Sequence, residues 1–442
     1  MTSIVEWIRQ VPSTSGDRAD DVNQQQDLKI LGKRAYLSPE SDDMNSSTPK
    51  RRKTDAKEDD WFNDIDTTPR APTLPLRNVT SPVPSISPSK RSVTSSQTSS
   101  SRASSSRQKL SDLQIADEGI QIRHFESPSD PWLPKPIKDA LVFLTYSQRG
   151  QHVFSPTLDK NAVASIAKAY FLDETTAFST SQNSGSHLSP SEAGHVLTYA
   201  KTCFQENEVE SVWNVEVHQR LLEKVLRRSG SNRLLDFRIC TTAGIIREYL
   251  PSTTTDRKID FCFCIDTAKD ATYATKAIAL RQSLPGSSLN HSNKVALQAR
   301  LLPVSIETKR ASIDFEGAIL QISIWQAAHW KMLRYVLGQT WPTSQSGLSR
   351  QDYINEALAE LGALPGILIQ GHQWYYFASS PDLENDEGKN TARTLLWLQK
   401  PIGSTENALG IHQIAAFLEF LKTWSLETYW PWFKSHFFDT PS

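Results

Sequence analysis

Apolar residues follow no period through the first third of the chain, and from about residue 131 onward they recur at helix or strand spacing. Residues 136–146 carry Ile137, Leu141 and Leu144 at helical spacing, and residues 161–171 carry Val163, Ile166, Ala167 and Tyr170 on one side. A longer helix is predicted over 206–228, where Trp213, Val217, Leu221 and Leu222 recur and Gly230 follows as a stop. Strands are predicted at 234–242, 258–263, 300–309 and 394–399, and a hairpin at 364–379 turns on Gly371-His372. Residues 315–337 form a strong amphipathic helix, and the aromatic-rich stretch 408–438 reads as helical with a break at Pro431. A polar loop at 179–191, a short turn at 243–249 and a mixed connection at 268–299, read as a loop or lid, fill the gaps. Strands interleaved with helices in this order predict an α/β protein with a central mixed β-sheet flanked by α-helices.

Against that pattern, a few polar residues stand where apolar ones are expected. Asp260 interrupts the apolar run Lys258-Ile259-Asp260-Phe261-Cys262-Phe263. In Ser305-Ile306-Glu307-Thr308-Lys309-Arg310, Glu307 and Lys309 are two apart and share a strand face. Glu210 precedes Trp213 by three and Val217 by seven, so it falls on the packed face of its helix, with Asn214 and His218 on the same side and Glu216 turned outward. Gln321 precedes Trp325 by four and Ala328 by seven, another polar group on a packed face. Burying carboxylates and an ammonium is costly unless they are paired, and a divalent cation with a phosphate would pair them.

Composition separates a tail from this core. Of 442 residues only 38% are hydrophobic, because residues 1–125 are dominated by Ser, Thr, Pro and charge and read as disordered. The cluster Pro49-Lys50-Arg51-Arg52-Lys53, preceded by Gly32-Lys33-Arg34, resembles a bipartite nuclear localisation signal, which predicts a nuclear protein. No apolar run approaches the roughly 18–20 residues that span a bilayer, and Met1 to Trp7 does not read as a secretory signal. Cysteine numbers 4, too few for a disulfide framework, and Cys262 and Cys264 lack a second pair at zinc spacing. The formal net charge of -1 gives no basic footprint for nucleic acid. Neither a G-x-x-x-x-G-K-S/T loop, a G-x-S-x-G elbow nor an H-E-x-x-H helix is present.

Asp260, then Glu307-Thr308-Lys309 on a later strand, then Gln321 on the next helix resembles the PD-(D/E)XK nuclease superfamily, and more narrowly a fungal PD-(D/E)XK nuclease-like family. Glu210-Ser211-Val212-Trp213-Asn214 with His218, Thr241-Thr242-Ala243 and Tyr249-Leu250-Pro251 support the resemblance, which covers about residues 150–435. It implies a restriction-endonuclease-like core and Mg²⁺- or Mn²⁺-dependent hydrolysis of nucleic-acid phosphodiesters, with DNA ahead of RNA. By the same resemblance Asp260 and Glu307 hold the metal, helped by the Thr308 carbonyl, and Glu210 supports a ligand or a second metal. Lys309 orients or deprotonates the water or stabilises charge on phosphorus, and Gln321 positions phosphate or water. Two other readings stay open: a catalytically silent module that binds nucleic acid or protein, and a plain buried ion pair between Asp260 and Lys309.

Overall fold

A computed structural model of the chain describes residues 105–439, apart from 126, 183, 229–232, 252–253, 312–313, 342–348 and 384–391. The basic clusters at 32–34 and 49–53 lie outside the described residues. One mixed sheet of eight strands organises the rest. Its strands are β1 Ile120–His124, β2 Leu235–Ile239, β3 Phe261–Asp266, β4 Arg300–Leu301, β5 Ser305–Lys309, β6 Leu364–Gln370, β7 Gln373–Pro381 and β8 Thr394–Ser404. They run in the order β1-β8-β7-β6-β5-β3-β2, with β4 paired to β3 off this path. The β1/β8 and β5/β6 pairs are parallel and the others antiparallel. The expected α/β class with a mixed, helix-flanked sheet is what the chain adopts.

Burial explains the strand order. In β3 every residue but the last is buried, and β6 is buried from Leu364 to Ile369, as near-continuous apolar strands at the centre of a sheet must be. A parallel β5/β6 pair needs a long crossover, supplied by the helices Phe315–Gln339 and Arg350–Leu361. Trp330 Nε1 of the first helix donates to Ser379 Oγ of β7 at 2.8 Å, seating it on the sheet. The helix Ala408–Trp424 also packs on the sheet, with Phe417 edge-on to Tyr376 at 5.4 Å. No helix among the described residues is long and apolar enough to cross a membrane.

Several boundaries differ from the sequence reading, each for a physical reason. The stretch placed in the tail contains the helix Ser106–Ile115 and the strand β1. Leu113 and Ile120 are buried in the main core, so this short apolar content suffices because a partner sheet already exists. The strand expected over 300–309 splits into β4 and β5. Two helices escaped the periodic pattern: Pro190–Gln205, started by a Ser189/Glu192 capping box, and Arg350–Leu361. The connection 268–299 carries the helix Ala274–Ser283.

Gly366 of β6 lies opposite Phe377 of β7, and a Cβ at that glycine would run into the Phe377 ring. Phe377 is 1% exposed and has little room to retreat. Gly366→Val is therefore expected to destabilise the domain by about 1–3 kcal/mol through overpacking. A urea-unfolding midpoint equal to that of the parent would refute this account of the sheet centre.

Candidate active site

The site forms where β3 and β5 part. Their ladder pairs Phe261 with Ile306, and extending that register sets Asp260 opposite Glu307. Asp260 N still donates to Ile306 O at 3.1 Å, the last rung. Beyond it the Asp260 carboxylate replaces a backbone acceptor. Thr308 N and Thr308 Oγ1 both donate to Asp260 Oδ2 at 2.9 Å, and Asn214 Nδ2 donates to Oδ1 at 3.3 Å. Asp260 is thus fixed by three donors while only 8% exposed.

Glu307 and Lys309 point to one face of β5, as the spacing predicts. Lys309 Nζ lies 2.5 Å from Glu307 Oε1, 3.7 Å from Glu210 Oε2 and 3.0 Å from the Thr308 carbonyl. Asp260 is not its ion-pair partner; Glu307 and Glu210 are. Glu307 is 1% exposed, and its second oxygen, Oε2, is buried without any hydrogen-bond partner. Leaving such an atom unpaired costs about 1–3 kcal/mol, which leaves Oε2 able to take a further partner.

The helix that brings Glu210 is not regular. It runs Glu210–Trp213, then a π-helical Asn214–Gln219, then Arg220–Leu226. A π-turn widens the helix, and such turns recur at functional sites. Here the widened turn carries Asn214 and His218, whose Oδ1 and Nδ1 are 2.9 Å apart. Burial pushes the His218 imidazole down to about 3, so it is neutral. With Nδ1–H donating to Asn214 Oδ1, the Asn214 amide is left facing Asp260 as a donor. Trp374 meets the His218 ring edge-on, with centroids 5.7 Å apart. Glu216, expected outside, pairs at the surface with Arg220 at 2.6 Å.

Charge at the site is unbalanced toward acid. Burial and then the facing Asp260 charge raise Glu307 well above the usual carboxylate range, against the pull of Lys309. Burial raises Asp260 despite the Thr308 hydrogen bonds, and raises Glu210 despite Lys309. Burial opposes the Lys309 charge, yet Glu307, Glu210 and Asp260 together raise its ammonium above its ordinary value. Among the described residues no three His, Cys, Asp or Glu side chains gather into a metal cage. Hard divalent cations such as Mg²⁺ need only one or two carboxylates, with waters and substrate oxygens completing the shell. Asp260 with the orphaned Glu307 Oε2 fits that requirement, and Glu210 stands behind Lys309.

Gln321 does not touch the acids. Its Nε2 donates to the Lys258 carbonyl at 3.0 Å, tying the start of the Asp260 segment to the Phe315–Gln339 helix. The side chain of Thr308 was not a candidate from sequence, because strand alternation assigns it to the face away from Glu307. It reaches Asp260 because Asp260 lies just past the paired part of β3.

An acid just before β3, the E-x-K strand beside it and the glutamine-bearing helix after it make up the candidate site. Residues 163–430 match the family model of the PD-(D/E)XK nuclease superfamily, and the chain belongs to that superfamily. No curated protein and no solved structure matches the chain.

Thr308→Val keeps the β-branched shape and removes one donor to a buried carboxylate. It is expected to cost about 1.5–3 kcal/mol of unfolding free energy, and Thr308→Ser much less. Equal denaturant midpoints for the two variants would contradict the bond described here.

Proposed function

We propose that this protein is a metal-dependent nuclease that hydrolyses nucleic-acid phosphodiesters, DNA ahead of RNA. The observation that supports the reading is the register that sets Asp260 opposite Glu307 at the strand split, with Lys309 on Glu307 Oε1 and Glu307 Oε2 without a protein hydrogen-bond partner. Asp260 and Glu307 would hold Mg²⁺ or Mn²⁺. The bound cation supplies a water of lowered pKa and neutralises charge on the phosphate. Thr308 and Asn214 keep the Asp260 oxygens aimed, as outer-shell partners of a ligand do. Lys309, held between Glu307 and Glu210, presents an ammonium that orients the water or stabilises charge developing on the phosphoryl oxygens. Gln321 acts on the backbone that carries Asp260. The basic clusters in the first 53 residues support a nuclear setting, where DNA is the abundant substrate.

A second reading is a silent nuclease-fold module that binds nucleic acid or protein, because a fold does not fix an activity. Cleavage decides between them. With plasmid, linear duplex and single-stranded DNA and RNA, the full chain is expected to cut in Mg²⁺ or Mn²⁺ and to stop on chelation. Asp260→Ala and Lys309→Ala are each expected to lower the rate by about 10²–10³-fold or more with folding retained by circular dichroism. Full activity in either variant would sink the nuclease assignment, and cation binding by calorimetry without cleavage of any substrate would favour the silent module. Thr308→Val is expected to weaken cation binding about 10–100-fold in the same calorimetric titration.

A further inference from the structure

A cleft that the candidate site residues do not line opens at the segment leading into Asp260. Its volume is about 150 Å³ and its lining is Lys109, Asp112, Thr254, Thr255, Arg257, Leu320 and Ile324. Leu320 and Ile324 are 1% and 2% exposed and form an apolar floor, while the rim is polar. Lys109 comes from the helix Ser106–Ile115, which packs on the Phe315–Gln339 helix. Arg257 comes from the segment that leads into Asp260.

The two cations are unusual in having no acid. No described carboxylate forms an ion pair with Lys109 or Arg257, and Arg257 Nε is buried without a hydrogen-bond partner. Asp256 Oδ1 accepts from Ile245 N at 2.8 Å, and Asp112, the one carboxylate in the lining, accepts at Oδ1 from Gln108 Nε2 at 2.9 Å. The Thr254 hydroxyl already donates to Pro251 O at 2.9 Å, which leaves two cations and the Thr255 hydroxyl against one acid around one space. An ion with several acceptor oxygens and a negative charge satisfies the cations and that hydroxyl, and a fork-shaped guanidinium suits phosphate in particular.

Position makes the cleft part of the same path. Arg257 precedes Asp260 by three residues, which limits their Cα separation to about 11 Å even for a fully extended chain. Gln321 Nε2 clasps Lys258 O between them, and Leu320 and Ile324 flank Gln321 on its helix. One strand of duplex carries a phosphate for about each 3.4 Å of axis, so the Arg257 and Asp260 backbones lie at most about three phosphate spacings apart. We propose that this cleft is a phosphate subsite for the nucleic-acid strand flanking the scissile bond, with Lys109 and Arg257 supplying the charge and Thr255 a hydroxyl donor. The assignment rests on the nuclease reading for the identity of the strand.

The test uses the full chain and fluorescently labelled DNA, duplex and single-stranded, followed by anisotropy across a salt series. An Asp260→Asn background keeps the strand uncut. Lys109→Ala and Arg257→Ala are each expected to weaken binding about 3- to 10-fold. Each should also lower the slope of log affinity against log salt by about 0.7–0.9, the value of one phosphate contact. Lys109→Arg and Arg257→Lys, which keep the charge, should retain the slope. In the cleaving protein the alanine variants should raise KM and leave kcat unchanged, as loss of uniform binding does. Unchanged affinity and slope in a protein that binds and cleaves would overturn the subsite and leave the nuclease reading standing. Binding that responds to the variants with no cleavage in the parent would sink the nuclease and keep the subsite. An equal loss of affinity for polyglutamate would overturn the phosphate assignment, and so would a parent that binds no DNA.

Discussion

Two carboxylates facing each other across a strand split, with one ammonium between two acids, is an arrangement that folding alone does not favour. Burial raises the proton affinity of both Asp260 and Glu307, and the Asp260 charge raises that of Glu307 further. Removing one partner from a buried charged cluster typically costs about 3–5 kcal/mol, because the remaining charge is stranded. The rest of the domain can be understood as what keeps this cluster in place. β3 and β6 are almost wholly apolar and anchor the split from either side of β5. The π-turn sets Asn214 against Asp260, and Gln321 ties down the backbone two residues earlier.

Much of this was legible from residue order, and what was not has identifiable causes. Strand alternation correctly put Glu307 and Lys309 on one face, and helical spacing put Glu210 beside Trp213 toward the site. Composition misplaced residues 106–124, because a helix with so few apolar residues has no independent signal. Its strand pairs Ile120 with Thr394, a partner far along the chain. Periodicity assumes a regular helix, so a π-turn that re-aims Asn214 leaves no mark on it. The split between β3 and β5 is invisible for the same reason: alternation describes paired strands, and Asp260 works by being just outside the pairing. The buried-pair reading of Asp260 with Lys309 chose the right charges and the wrong partner.

Charge shows a similar contrast between whole and part. A formal net charge of -1 hides a local separation, with acid surplus at the strand split and unpaired cations one short segment away. Under the proposed function a phosphodiester strand would meet both: negative phosphates held by cations on one side, and acids that take a cation on the other. Global charge steers encounter, whereas adjacent opposite patches set register along the strand.

The edge strand β1 has a bearing on how the protein is divided. The superfamily match begins at residue 163, well after β1, yet β1 covers β8 from Thr394 to Leu398. A piece cut to the matched residues would leave that row of β8 amides and carbonyls open, beside buried Leu396 and Leu398. Exposed edges of this kind recruit other strands, and copies would join edge to edge. Insolubility of such a fragment would then report lost cover, from β1 and from the helix Lys135–Gln148 whose Ile137, Leu141 and Leu144 are buried in the core.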